Sequence, residues 1–137
     1  MLPTILLKRA RATDKKPRQR FVPTARLETR VRYLQVAFNE DWNQARQILP
    51  QVIQSNRILI DAGTPYIKRE GVAGIRAIRS RWGGHIVADL KTSDGGAEEV
   101  ALGRAAGATA ATVLGSSPVE TLDRFVAACD TIGMDAM

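Results

Sequence analysis

Residues 85–107, HIVADLKTSDGGAEEVALGRAAG, decide how this chain folds. An apolar run from His85 to Leu90 ends among Asp89, Lys91 and Asp94. Two glycines follow at 95 and 96, and then an amphipathic stretch from Ala97 to Ala106 stops at Gly107. A short apolar run closed by turn residues reads as a buried strand of a parallel sheet, and the stretch after it as the helix that crosses back. Glycine is the expected left-handed stop for such a helix. Side chains alternate along a strand, so Asp89 and Lys91 point to the same face. Burying charges is costly unless they pair or hold a ligand. The spacing D-x-K-x-x-D at a strand's end therefore points to chemistry, with a structural ion-pair network as the alternative.

The same unit recurs on both sides. Further strands are expected at Tyr33–Phe38, Ile58–Ala62 and Ala110–Leu114. The first helix carries Trp42, Ala45, Ile48, Leu49, Val52 and Ile53 on one stripe, with Asp41 as its cap. Pro50 should kink or shorten it. The second is expected near Val72–Trp82, stopping at Gly83-Gly84. The fourth opens on Ser117-Pro118-x-Glu120, a capping box with proline at its first helical position, and runs to Gly133. Met134-Asp-Ala-Met137 then starts a fifth strand. The expected fold class is α/β: parallel βα units with right-handed crossovers, forming the N-terminal half of a TIM (β/α)8 barrel. A whole barrel takes about 200–250 residues. With 137 residues the chain looks cut short at the start of strand five.

Charge divides the chain in two. The net charge is +6, but residues 1–32 hold ten Lys/Arg against two acids and residues 33–137 hold ten against twelve. Proline-punctuated and without periodicity, residues 1–32 are expected to form a basic, irregular leader or linker that packs poorly; residues 33–137 form the partial barrel domain. A basic tail can touch nucleic acid, but no aromatic interleaving supports base stacking, so a nucleic-acid partner is not expected. An apolar fraction of 45% is ordinary, and no run approaches the ~18 residues of a membrane span. A single cysteine, Cys129, excludes an internal disulfide and fits a reducing cytoplasm. An open half-barrel would leave two sheet edges and an apolar inner face uncovered, so the chain is expected to dimerise, aggregate or stay loose.

In parallel βα folds, function sits at the carboxyl ends of the strands. Those ends carry Asn39, Asp61, Asp89 with Lys91, and Gly115-Ser116. Asp61 and Asp89, on neighbouring strands, are suited to share Mg²⁺, a hard cation that takes carboxylate oxygen. Lys91 between acids would stay protonated and donate to an oxyanion. Other residues are better read as structural. His85 starts a strand at the opposite end and is expected to be partly exposed. Cys129 belongs to a packed stripe, Gly95-Gly96 to a tight turn, and Lys68, Arg69 and Glu70 to a loop ion pair or a helix-start charge.

Several segments together resemble a known family. Leu34-Gln-Val-Ala37, Ala62-Gly-Thr-Pro-Tyr-Ile-Lys68, Glu70-Gly71, Val87-Ala-Asp-Leu-Lys-Thr-x-Asp-x-Gly96 and Thr112-Val-Leu-Gly115 resemble the 3-hexulose-6-phosphate synthases of the orotidine-5′-phosphate decarboxylase superfamily. The resemblance implies a Mg²⁺-assisted aldol condensation of formaldehyde with ribulose 5-phosphate through an enediolate. It implies that Asp89 binds metal and substrate, that Lys91 contacts the enediolate oxygens, and that Asp94 reaches the site across a homodimer interface. Asp61 stands where the family usually has glutamate, a ligand of metal and substrate, and Asn39 where it usually has aspartate. The family's histidine after strand five and its phosphate site near strands seven and eight have no counterpart within these residues, so independent turnover is not expected. The superfamily's 3-keto-L-gulonate-6-phosphate decarboxylases are the second enzyme reading, and a non-catalytic half-barrel for binding or assembly is the third.

Overall fold

A computed structural model describes residues 26–137. Among these residues five parallel strands lie in chain order: β1 Leu34–Phe38, β2 Ile58–Ala62, β3 His85–Thr92, β4 Ala110–Val113 and β5 Asp135–Ala136. Between them run the helices α1 Trp42–Ile48, α2 Thr64–Arg81, α3 Gly96–Ala106 and α4 Val119–Ile132. This is the strand order of the N-terminal half of a TIM barrel, as the alternating pattern predicts. Among the described residues no helix is long and apolar enough to cross a membrane.

Strand alternation sorts the apolar residues into two cores. Ile60, Ala62, Ile86, Ala88 and Ala111 face the helices, where they meet Tyr66, Ile78, Trp82, Phe125 and Cys129. Leu59, Val87 and Ala110 have the opposite parity and pack with Leu27 and Tyr33 on the other face of the sheet. Poor packing was expected throughout residues 1–32, but residues 26–33 partly cover that inner face. Arg26 pairs with Asp130 at 2.7 Å, and the Leu27 amide donates to Asp135 Oδ2 at 3.0 Å. An apolar surface beside the strand starts gives Leu27 something to bury against. Residues 1–25 of the expected leader lie outside the described residues.

Punctuation departs from expectation in four places. Asp41 caps α1 by accepting from the Gln44 amide at 2.9 Å. Pro50 then converts the chain to a 3₁₀ turn over Leu49–Gln51, so Ile53 leaves the buried stripe and is 78% exposed. Helix α2 is two helical segments kinked at Gly71 (φ 62°, ψ −158°), a conformation that needs glycine. The segment from Val72 is the expected helix, and the one before it, opening on Thr64-Pro65, is an addition that proline at its start favours. At the far end of α2 no left-handed glycine is used: Trp82 is extended and buries its ring, while Arg79 donates to the carbonyls of Trp82 and Gly84 at 2.9 Å and of Gly107 at 2.8 Å. Gly107 and Gly133 do take left-handed φ values, 101° and 69°. The capping box of α4 does not form, since the Ser117 hydroxyl turns instead to the Thr92 carbonyl at 3.3 Å. His85 is buried rather than partly exposed, against Thr109 at 3.2 Å and edge-on to Tyr33; burial lowers its pKa.

Candidate functional site at the strand ends

The sheet is regular up to Ala88 and then departs from register. β2 and β3 pair in step from Leu59↔His85 to Ala62↔Ala88. Between β3 and β4 the pairs are Ala88↔Ala111 and then Thr92↔Val113, so four steps along β3 answer two along β4. Asp89, Leu90 and Lys91 occupy this bulge. Within it Lys91 has φ 49°, a left-handed value for a side-chain-bearing residue, at a cost of about 1–2 kcal/mol. Strain of this kind persists only where its surroundings fix it, and it gathers at functional sites.

Several bonds fix it here. The Lys91 ammonium pairs with Asp89 Oδ2 and donates to Thr64 Oγ1 at 2.9 Å. The Thr64 hydroxyl lies 2.7 Å from the Asp89 carbonyl oxygen and 2.9 Å from Oδ2. On the other side the Thr112 hydroxyl donates to Asp89 Oδ1 at 2.8 Å and accepts the Lys91 amide at 2.9 Å. Asp89 is mostly covered, whereas half of the Lys91 side chain is open to solvent. Burial pushes the Asp89 carboxyl up, but hydrogen bonds from Lys91, Thr112 and Thr64 outweigh it, and the net pKa lies below the ordinary value.

Asp61 is the contrasting carboxylate. It pairs in register with Val87, one pleat short of Asp89 on the same inner face; strand spacing and rise put the two Cα atoms ~8 Å apart. Asp61 is 6% exposed. Its Oδ2 accepts from Gln35 Nε2 at 3.0 Å, while Oδ1 is buried without a hydrogen-bond partner among the described residues. Burial raises its pKa, the Gln35 bond opposes that, and the nearby negative charge of Asp89 adds to the rise. Carboxylates whose environments push their pKa values apart are a signature of functional sites.

The raised Asp61 pKa gives a stability prediction. The folded chain binds this proton more tightly than the unfolded chain, so stability falls as pH rises from 3.8 through the folded value. Asparagine at 61 keeps the acceptor for Gln35 and removes the buried charge. Asp61→Asn should therefore be more stable than the parent in urea at pH 7, and the gap should close towards pH 3. A variant equal to or weaker than the parent at pH 7 would show that the buried charge is compensated.

Of the remaining sequence-predicted positions, Asn39 borders this cluster through Gly63, the residue before Thr64, and Asp94 bonds within its own loop. Asn39, just beyond β1, is exposed, and its Oδ1 sits 2.0 Å from where a Cβ on Gly63 would be; only glycine at 63 admits it. Asp94 is exposed in the loop after β3 and accepts from its neighbour Gly95 N at 2.8 Å. Glu70 and Arg69 belong to α2, not to a loop. Glu70 accepts the Trp42 amide at 2.8 Å, serving the start of α1, and Arg69 pairs with Glu40 at 2.9 Å. Gln35, Thr64 and Thr112 stand in segments that carry the family resemblance but were given no site role from sequence. For Gln35 and Thr112, inner-face parity with Asp61 and Asp89 was the available signal. Among the described residues, no three His, Cys, Asp or Glu side chains converge as a ready-made metal site.

The chain as a whole is similar to known proteins. The model of the orotidine 5′-phosphate decarboxylase / HUMPS family matches residues 32–135. A bifunctional enzyme Fae/Hps of Methanocaldococcus jannaschii is 38% identical over 103 residues, covering 74% of this chain and 27% of that protein. The crystal structure of 3-hexulose-6-phosphate synthase from Salmonella typhimurium superposes with TM-score 0.71 at 34% identity, over 76% of this chain and 50% of that one. The 3-keto-L-gulonate-6-phosphate decarboxylase of Vibrio cholerae shares the fold with TM-score 0.69 at 24% identity, over 77% of this chain and 50% of that one. The chain thus spans about a quarter of the curated relative and half of each solved barrel.

Proposed function

The chain belongs to the orotidine 5′-phosphate decarboxylase / HUMPS family, and on that premise we propose that it carries the metal-and-enediolate end of a 3-hexulose-6-phosphate synthase-like aldolase. The observation that carries this reading is the locked Asp89–Lys91 pair at the carboxyl end of β3, facing the same side as a buried Asp61 with one unpartnered oxygen. The 34% identity to a solved synthase supports it over the decarboxylase, whose likeness at 24% speaks for the fold alone. The substrates are ribulose 5-phosphate and formaldehyde. The sugar phosphate gives its C1 proton to a base and becomes an enediolate; C1 then bonds to the formaldehyde carbon as the C2 carbonyl re-forms, and the formaldehyde oxygen takes up a proton to become a hydroxyl.

Each residue has a task in that sequence. Lys91, half open to solvent beside a mostly covered carboxylate, offers N–H donors to an oxygen that gains negative charge; a fixed donor needs no reorganisation as the charge develops. Asp89, held ionised by its hydrogen bonds, aims Lys91 and accepts from substrate hydroxyls. Asp61 and Asp89 would hold Mg²⁺: both offer hard oxygen, the bare Asp61 Oδ1 needs a partner, and Mg²⁺ commonly takes one or two carboxylates while keeping several waters. When bound, the cation supplies charge stabilisation to the substrate oxygens. Asn39 binds substrate through its amide. Asp94, exposed in the loop after β3, serves the site of a second copy in a homodimer. The buried thiol of Cys129, pushed up to about 11 by desolvation, is unreactive and at home in a reducing cytoplasm.

The test joins this chain to the C-terminal half of the Salmonella typhimurium synthase barrel and follows formaldehyde in the presence of ribulose 5-phosphate and Mg²⁺. Consumption that requires all three supports the reading. Carbon dioxide release from 3-keto-L-gulonate 6-phosphate without formaldehyde consumption would transfer the chain to the decarboxylases.

A further inference from the structure

We propose that Thr112 is a positioning residue, whose single hydroxyl holds the Lys91 backbone in its left-handed turn and aims the Asp89 carboxylate at the Lys91 ammonium. This rests on Asp89 and Lys91 being the reactive pair, as argued above. Where four steps of β3 answer two of β4, the ladder cannot supply a carbonyl to every amide of the bulge. The Lys91 amide goes instead to Thr112 Oγ1 at 2.9 Å. A hydroxyl has one proton to give, and having accepted that amide, Thr112 gives its own to Asp89 Oδ1 at 2.8 Å. One oxygen thus ties the backbone of one member of the pair to the side chain of the other. Lys91 is the only non-glycine residue with positive φ among the described residues, and the Thr112 bond falls on its amide. The same hydroxyl is among the groups that keep Asp89 below the ordinary carboxylate range.

Two substitutions in the full 137-residue chain separate this role from packing. Thr112→Val keeps the branched shape and loses both bonds, while Thr112→Ser keeps the hydroxyl and loses the methyl. Amide hydrogen exchange reads the Lys91 bond, and the Asp89 carboxyl-carbon shift at a fixed pH of about 7 reads the bond to its carboxylate. In Thr112→Val the Lys91 amide should exchange about tenfold faster, the equilibrium worth of one ordinary hydrogen bond, and the Asp89 carboxyl signal should move. In Thr112→Ser both should stay at their parent values. A folded Thr112→Val chain whose Lys91 amide exchanges as slowly as the parent's overturns the proposal. Should Thr112→Val fail to fold, Thr112→Ser decides: parent values for both readouts uphold it, and faster Lys91 exchange overturns it. Neither readout involves substrate, so a completed barrel without turnover would count against the aldolase reading and leave Thr112's role intact.

Discussion

Lys91→Ala, introduced into the completed barrel, should lower the rate of formaldehyde condensation with ribulose 5-phosphate by a hundred- to a thousandfold. Removing a positioned donor from developing negative charge typically costs ~3–4 kcal/mol of transition-state stabilisation, which is that factor in rate. The fold should survive. The ammonium is half exposed, and its bonds run to Asp89 and Thr64, both of which keep other partners. The loss should appear mainly in kcat, because the interaction strengthens as charge builds on the substrate oxygen. A variant that turns over as fast as its parent would remove Lys91 from the chemistry.

Trp82→Ala should be the most damaging change to stability, at about 3–5 kcal/mol for deleting a fully buried indole. Trp82 ends α2 and faces the sheet, and its Nε1 donates to the His85 carbonyl at 3.1 Å, where β3 begins. Truncation therefore opens a cavity and leaves that carbonyl without its donor. Trp82→Phe should cost less, since it refills most of the volume and forfeits mainly the hydrogen bond. Urea unfolding of both variants checks the order; a Trp82→Ala chain within 1 kcal/mol of its parent, roughly the cost of an average substitution, would show that this layer can collapse without penalty.

Much of this architecture is legible in the sequence because alternation and glycine stops are local signals. β2 begins and ends where its apolar run does, and Gly107 and Gly133 end their helices by the expected conformation. Several departures share a cause: another group supplied what the local reading assigned to a particular residue. Helix α2 ends before Gly83-Gly84 as expected, yet without a left-handed glycine, because Arg79 satisfies the carbonyls and Trp82 leaves the helix extended to bury its ring. Ser117 looked like a cap, yet its hydroxyl answers a carbonyl on β3. Leu27 looked like part of a solvated leader, yet it packs with Leu59, Val87 and Ala110, whose inward parity is visible only once the sheet is assembled.

The site was legible in part for the same reason. Strand parity placed Asp89 and Lys91 together, and the structure unites them through a bulge rather than through a regular strand. No pattern in His85–Thr92 announces the two-residue excess over β4. Asp61 was found because it ends an apolar run, but its bare oxygen emerges only from burial. Thr64 and Thr112 were missed because a hydroxyl carries no charge to draw notice; their importance lies in what they touch.

The most direct test of the proposed chemistry is deuterium exchange at C1 of ribulose 5-phosphate, followed by proton NMR in D₂O with Mg²⁺ and without formaldehyde. If Asp61, Asp89 and Lys91 support an enediolate, the completed barrel should wash deuterium into C1, and Lys91→Ala should slow that exchange in step with condensation. Bound ribulose 5-phosphate that keeps its C1 protons for as long as it does in buffer would contradict the account.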